Sequence, residues 1–121
     1  MSGVAAVSRE RLVQLMDGDE EFVLVDALSQ LSYAVSHIPG AIHIPPEWVD
    51  DRAPRRIPDL DTVVVVYCES NQCDSSAEVA KRLVELGYRN VGHYVEGKRD
   101  WVAAGLPLDG RKTVRLKDQP A

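Results

Sequence analysis

The chain has 121 residues, of which 45% are hydrophobic and 27% are charged, and its formal net charge is −5. This length and composition are typical of one compact domain that folds without a metal or disulfide staple. The negative charge disfavours nucleic acid and anionic membranes as partners, and no apolar run is long enough to span a bilayer. The low cysteine content and an N-terminus without signal-peptide features indicate a reducing compartment, so we expect a cytoplasmic protein.

The first third of the chain alternates short strands with short helices. Residues 4–7 are apolar and predict a brief strand, and Ser8 is typical of the N-cap of a helix that ends near Asp17. Residues 22–25 predict a second, buried strand that ends at Asp26. An aspartate at such a position caps the following turn or takes part in a site, and capping is the commoner role.

A short helix is predicted over residues 29–35, with its apolar residues Leu31, Ala34 and Val35 facing inward. The Pro-Gly pair that follows suits the central positions of a type II turn. Residues 41–45 then alternate like a strand, which a pair of prolines ends.

The segment over residues 46–61 is rich in proline and charge. It predicts one helical turn at residues 47–50 and then an irregular crossover. Its basic cluster is interpreted as a solvated face rather than a binding site, and consists of Arg52, Arg55 and Arg56.

The most informative stretch covers residues 62–86. Four valines and a tyrosine predict a strand buried on both faces, and Cys68 follows at once. After a polar loop, Ser75 or Ser76 is the expected N-cap of an amphipathic helix. Free amides and the helix dipole at such a junction stabilise a thiolate, and ligands of open α/β sheets bind beyond the strand ends. Cys68 is therefore either a nucleophile in a cradle of amides or a small buried hydrophobe.

The last third predicts a strand over residues 91–95 and a helix over residues 98–104, with Trp101 and Val102 packed inward. Together, the alternating elements predict an α/β fold of three layers, α/β/α, around a roughly five-stranded parallel sheet. We expect a single domain over residues 1–108 and a polar tail over residues 109–121.

Two histidines in the middle of the chain, His37 and His43, are candidate bases or metal ligands. Histidines in turns and on strands more often bond to the backbone, and no spacing of Cys, His and Asp here matches a metal site. The residues indicate no metal and no organic cofactor.

Several segments together resemble the single-domain rhodanese family over nearly the whole chain. They are LVDA at 24–27, SHIPGAIHIP at 36–45, VVVYC at 64–68, LGYRNV at 86–91 and YVEGKRDWVAAGLP at 94–107. Each is weak alone, but their order and spacing are specific.

This resemblance implies a sulfurtransferase in which Cys68 takes a sulfane sulfur from a donor as a persulfide and passes it to a thiol or cyanide. Asp26 and His37 are assigned supporting roles near the site. The amides that would cradle the sulfur are those of Glu69, Ser70, Asn71, Gln72, Cys73, Asp74 and Ser75.

The loop departs from the family pattern because it is acidic and has neither a glycine nor a basic residue. Glu69 and Asp74 would repel a dianion, so a persulfide is at least as plausible a donor as thiosulfate. Asp26 also lacks the arginine that often follows it, and Glu96-Gly97 stands where paired glycines are usual. A phosphatase or arsenate reductase is rejected because residues 69–80 contain no Arg or Lys to hold an oxyanion.

The second cysteine of the loop, Cys73, is a resolving thiol, a second sulfur carrier, the nucleophile itself in a loop of shifted geometry, or an adventitious residue. Cys68 is favoured as the nucleophile because it follows the strand end at the floor of the loop. Three functions therefore stay open: a sulfurtransferase, a redox-sensing module that uses the Cys68–Cys73 pair, and a non-catalytic interaction domain. The expected partners are a small sulfur donor or acceptor or a sulfur-carrier protein, with no nucleic acid and no membrane. The sequence does not indicate an oligomeric state.

Overall fold

The computed structural model describes residues 3–110, which form one sheet with helices on both faces. The strands are β1 (Val4–Ala6), β2 (Phe22–Asp26), β3 (Ile42–His43), β4 (Val63–Tyr67) and β5 (Asn90–Tyr94). The helices are α1 (Arg9–Asp17), α2 (Gln30–Val35), α3 (Val49–Arg56), α4 (Ser75–Glu85) and α5 (Gly97–Ala103), and a single 3-10 turn spans Pro46–Trp48.

All neighbouring strands are parallel, and their order β1-β5-β4-β2-β3 makes β4 the central strand. One apolar core packs α3 and α4 against Val64 and Val66, and the other packs α1 and α5 against Val65 and Tyr67. Because β4 is buried on both faces, its sequence is apolar throughout rather than alternating. The predicted three-layer fold with five parallel strands is confirmed.

From β2 the chain continues to β3 at one edge of the sheet, whereas from β4 it continues to β5 on the opposite side. A crevice forms at the carboxyl ends of strands where the connections diverge in this way. Asp26 at the end of β2 pairs in register with Tyr67 at the end of β4. The fold therefore brings Asp26 level with the residue that precedes Cys68.

Two local predictions are confirmed. The Ser8 hydroxyl oxygen accepts the Arg11 amide at 3.0 Å and caps α1. Gly40 has a φ of +84° and the Ala41 amide donates to the Ile38 carbonyl at 3.0 Å, as a type II turn requires.

Three apolar side chains predicted to face inward are exposed instead: Leu31 by 66%, Val35 by 42% and Val102 by 43%. In α2 the residue that packs on the core is Tyr33, whose hydroxyl donates to the Ala41 carbonyl at 2.7 Å. This contact sets the rotation of the helix and turns Leu31 and Val35 toward solvent, so the predicted orientation is wrong.

The irregular crossover predicted after residue 50 is also wrong, because α3 continues to Arg56 and contains Pro54. Val49 and Ala53, one helical turn apart, are 1% and 0% exposed against the sheet. Burial of this narrow apolar face and the charges at the helix ends outweigh the missing amide of the proline.

Two residues beyond the last helix pack on the rest of the described chain. Leu108 is 7% exposed, and Asp109 exchanges backbone hydrogen bonds of 2.8 and 2.9 Å with His37. Asp109, the first residue of the predicted tail, is thus hydrogen-bonded to the turn after α2. Residues 111–121 of that tail lie outside the described residues.

Candidate active site

Cys68 follows directly on the central strand β4 and is 1% exposed. Its backbone is held from the side by the first turn of α5. The Lys98 amide donates to the Cys68 carbonyl at 2.9 Å, and the Arg99 amide donates to the Glu69 carbonyl at 2.8 Å. The start of the loop therefore has a fixed position relative to the sheet.

Gly97 allows α5 to approach the loop this closely. Its φ is +73°, and a Cβ at this position would lie 2.6 Å from the Cys68 carbonyl oxygen and 2.8 Å from the Glu69 carbonyl carbon. Only glycine combines this backbone conformation with the space that remains. The sequence analysis noted Glu96-Gly97 at the place where the family usually has paired glycines, but did not identify Gly97 as a neighbour of the loop.

The loop turns back at Ser70. The Cys73 amide donates to the Ser70 carbonyl at 3.2 Å, and the Gln72 amide donates to the Ser70 hydroxyl oxygen at 3.3 Å. This turn returns the chain to Cys68, and a disulfide joins Cys68 and Cys73 with their Cα atoms 6.3 Å apart. The structure thus brings together the two thiols that the sequence singles out.

The predicted amide cradle divides into two groups. The amides of Gln72 and Cys73 already have acceptors on Ser70. The amides without an acceptor among residues 3–110 are those of Glu69, Ser70, Asn71, Asp74 and Ser75. Asp74, rather than the predicted Ser75 or Ser76, is the N-cap of α4, and its side chain makes no capping hydrogen bond. The start of α4 thus leaves N–H groups free to face an anion.

Two basic residues of α5, Lys98 and Arg99, contact the start of the loop through their backbone amides, and sequence reasoning missed this contact because they lie about thirty positions further along the chain. Lys98 is 9% exposed, and its ammonium group donates to the Ser36 carbonyl at 2.9 Å. Arg99 is exposed next to Glu69. The loop therefore meets the first turn of α5 through backbone hydrogen bonds, while the Lys98 ammonium group lies at the Ser36 carbonyl.

Asp26 lies in a buried hydrogen-bond network beside the loop. One carboxylate oxygen accepts the Tyr67 hydroxyl at 2.7 Å and the other accepts the Leu28 amide at 2.8 Å. The Ile38 amide donates to the Tyr67 hydroxyl oxygen at 2.9 Å. Burial raises the pKa of Asp26, and the hydrogen bonds from Tyr67 and Leu28 together with the positive charge of Lys98 oppose that rise. This network supports the end of β4 immediately before Cys68.

The two histidines considered as catalytic or metal-binding have backbone partners. His37 Nδ1 lies 2.8 Å from the Tyr33 carbonyl oxygen, and its ring stacks on Tyr33. His43 Nε2 lies 2.6 Å from the Leu28 carbonyl oxygen, and Arg52 reaches its Nδ1 at 3.2 Å. These contacts stabilise the turn around α2, and within residues 3–110 the His37 side chain makes no hydrogen bond to the cysteine loop.

Sequence reasoning missed a polar pair beneath the start of α4. Ser76 is fully buried, and its hydroxyl lies 2.7 Å from Nε2 of His93 on β5. Burial lowers the pKa of His93, and the carboxylate of Glu96 opposes this shift. His93 also lines an open groove of about 400 Å³ with Lys81 at its rim. The only sequence signal was a serine in the first turn of a helix.

Among residues 3–110 there is no group of three or more His, Cys, Asp and Glu side chains that could hold a metal ion. The same part of the chain contains no helix long and apolar enough to cross a membrane.

A central parallel strand that is followed at its carboxyl end by a cysteine, a loop with unpaired amides and a helix defines an α/β domain with a cysteine beyond the end of its middle strand. A family model described as the Rhodanese-like domain matches residues 8–104. The chain belongs to this family, and the resemblance inferred from the sequence segments is confirmed.

Curated relatives carry several names. The chain is 33% identical over 104 residues to the HTH-type transcriptional regulator Rv0324 of Mycobacterium tuberculosis and 31% identical over 100 residues to the putative sulfur carrier protein YrkF of Bacillus subtilis. These matches cover 86% and 83% of this chain but only 44% and 52% of those proteins, so the chain spans about half their length. It is also 34% identical to the thiosulfate sulfurtransferase GlpE of Haemophilus influenzae, over 72% of this chain and 79% of that protein.

Solved structures show the same fold. A thiosulfate sulfurtransferase from Pseudomonas aeruginosa superposes with a TM-score of 0.75 at 27% identity, over 93% of this chain and 21% of that one. The BH2092 protein from Bacillus halodurans superposes with a TM-score of 0.81 at 23% identity, over 93% of this chain and 82% of that one.

Proposed function

We propose that this chain transfers a sulfane sulfur through a persulfide on Cys68. The observation that carries the proposal is the position of Cys68 at the end of the central strand, beside loop and helix amides that have no acceptor among residues 3–110. Such N–H groups stabilise a thiolate and the anionic persulfide that forms from it. The names of two relatives, a thiosulfate sulfurtransferase and a putative sulfur carrier protein, support this chemistry.

The reaction has two steps. The Cys68 thiolate attacks the sulfane sulfur of the donor, a new S–S bond forms, and the remainder of the donor leaves, as sulfite when the donor is thiosulfate. A thiol or cyanide then removes the outer sulfur and regenerates the thiolate. Because Glu69 and Asp74 flank the loop, we expect a persulfide to load Cys68 faster than the thiosulfate dianion does.

The first test is the intact mass of two reduced single-cysteine variants after exposure to thiosulfate and, separately, to a small-molecule persulfide. Cys73→Ser keeps Cys68 and should gain one sulfur atom, whereas Cys68→Ser keeps only Cys73 and should gain none. If Cys73→Ser gains no sulfur from either donor, or if Cys68→Ser gains as much, the proposal is wrong.

The disulfide between Cys68 and Cys73 supports a second candidate, a redox-sensing module without sulfur transfer. In that case the wild-type chain would alternate between dithiol and disulfide under a mild oxidant and a thiol reductant. Cys73→Ser would then gain no sulfur from either donor.

A further inference from the structure

We infer that Cys73 resolves the Cys68 persulfide, so that the domain releases sulfide and closes the Cys68–Cys73 disulfide. The inference rests on the proposed persulfide on Cys68 and adds a second activity to it. Besides transferring its sulfur to an acceptor, the loop would reduce that sulfur with its own second thiol.

The loop geometry supports attack by Cys73. The turn at Ser70 returns the chain to the end of β4, and the sulfur of Cys73 lies in bonding contact with Sγ of Cys68 itself. In a persulfide, Sγ of Cys68 is the inner sulfur. Cys73 is therefore placed to attack the inner sulfur, which releases the outer one, rather than to accept the outer sulfur.

Proximity favours an internal thiol over an external one at this atom. In the disulfide form Cys68 is 1% exposed and Cys73 is partly exposed, so the two sulfurs meet at the floor of the loop. The Cys68 backbone is also held by the Lys98 amide at 2.9 Å, which keeps Cys68 at the floor of the loop. A thiol held within the same loop acts at a high effective concentration and needs no approach through solvent.

The step balances without an external oxidant. The Cys73 thiolate forms a bond to Sγ of Cys68, and the bond between Sγ and the outer sulfur breaks. The electron pair of that bond leaves with the outer sulfur, which is reduced to hydrosulfide, while the Cys73 sulfur is oxidised to the disulfide level that Sγ of Cys68 already has in the persulfide. An external dithiol then returns the loop to its reduced state and supplies the two electrons of the cycle.

The test is a single-turnover experiment on the full chain, reduced, freed of reductant and kept anaerobic. Wild type, Cys73→Ser and Cys73→Ala receive one equivalent of a small-molecule persulfide, and free sulfide and intact mass are followed together. Wild type should release one equivalent of sulfide and lose two hydrogen atoms in mass. Both variants should keep the added sulfur and release sulfide at least about tenfold more slowly.

The outcomes separate this inference from the proposed function. If both Cys73 variants and wild type load sulfur and hold it equally long, or if the added sulfur of wild type maps to Cys73, the inference is wrong while sulfur loading on Cys68 stands. If no protein with Cys68 takes up sulfur, the proposed function is wrong and the inference falls with it. The alanine variant keeps the test valid if the serine variant does not fold.

Discussion

At the scale of single residues, the pair of Ser76 and His93 ties the first turn of α4 to the sheet beneath the cysteine loop. The serine is fully buried and its hydroxyl lies 2.7 Å from Nε2 of His93. A buried imidazole resists protonation, which is why the pKa of His93 lies below its ordinary value of 6.5. The position of the helix start should therefore depend on a neutral histidine.

This pair predicts a pH dependence of stability. The unfolded chain binds a proton at His93 more readily than the folded one, so the stability that the neutral ring contributes is present above pH 6.5 and is lost as the pH falls below it. Urea unfolding between about pH 7.5 and about pH 5.5 should show a steeper loss of free energy of unfolding for wild type than for His93→Gln. Parallel curves for the two proteins would contradict the argument.

At the scale of elements, the contact between α5 and the loop after β4 positions the thiol. The first turn of α5 donates to the carbonyls of Cys68 and Glu69, and Gly97 leaves the space for them. The approach joins segments that are about thirty residues apart, so it depends on the strand order as well as on local conformation.

We expect Gly97→Ala to withdraw α5 from the loop, because the added Cβ would lie 2.6 Å from the Cys68 carbonyl oxygen. The free energy of unfolding should fall by about 3 kcal/mol, and the rate of sulfur loading should fall with it. The measurements are urea unfolding and the time course of intact mass with a persulfide donor.

Gly40→Ala is the matched control for this change. Gly40 also has a positive φ, of +84°, but nothing lies within 4 Å of its Cβ position. The free energy of unfolding of this variant should therefore fall by only about 1–2 kcal/mol, from backbone strain, and the variant should load sulfur at the rate of wild type. Equal effects of the two alanines would show that the close approach of α5 is unimportant.

At the scale of the whole molecule, the redox state of the loop should change the stability of the domain. The Cys68–Cys73 disulfide closes a short loop with a sequence separation of 5, at the centre of the only sheet that the described residues form. A cross-link of this size removes a limited part of the conformational entropy of the unfolded chain.

The oxidised wild type should therefore exceed the reduced protein in free energy of unfolding by about 2 kcal/mol. Urea unfolding with and without a thiol reductant measures the difference, and Cys73→Ser should show no effect of the reductant. If the reduced protein is as stable as the oxidised one, the disulfide raises the free energy of the native state by as much as it raises that of the unfolded state.

Most of the fold could be predicted because its signals are local. The valine run of β4 shows burial on both faces, Ser8 shows a helix start, and the Pro-Gly pair shows a type II turn. The errors arose where tertiary packing outweighs local pattern. Tyr33, rather than Leu31, sets the rotation of α2, and burial of Val49 and Ala53 carries α3 past the position where proline suggested an irregular segment.

The sequence by itself determined the α/β class, the rhodanese family and the position of Cys68 at a strand end, since these depend on residue types and short spacings. Only the tertiary structure decided which distant residues contact the backbone after β4, Gly97 and Lys98 from α5, and that His93 bonds to the first turn of α4. Their proximity follows from the strand order, in which β4 lies between β5 and β2. Strand order is set by the packing of the whole chain, so no local pattern encodes it.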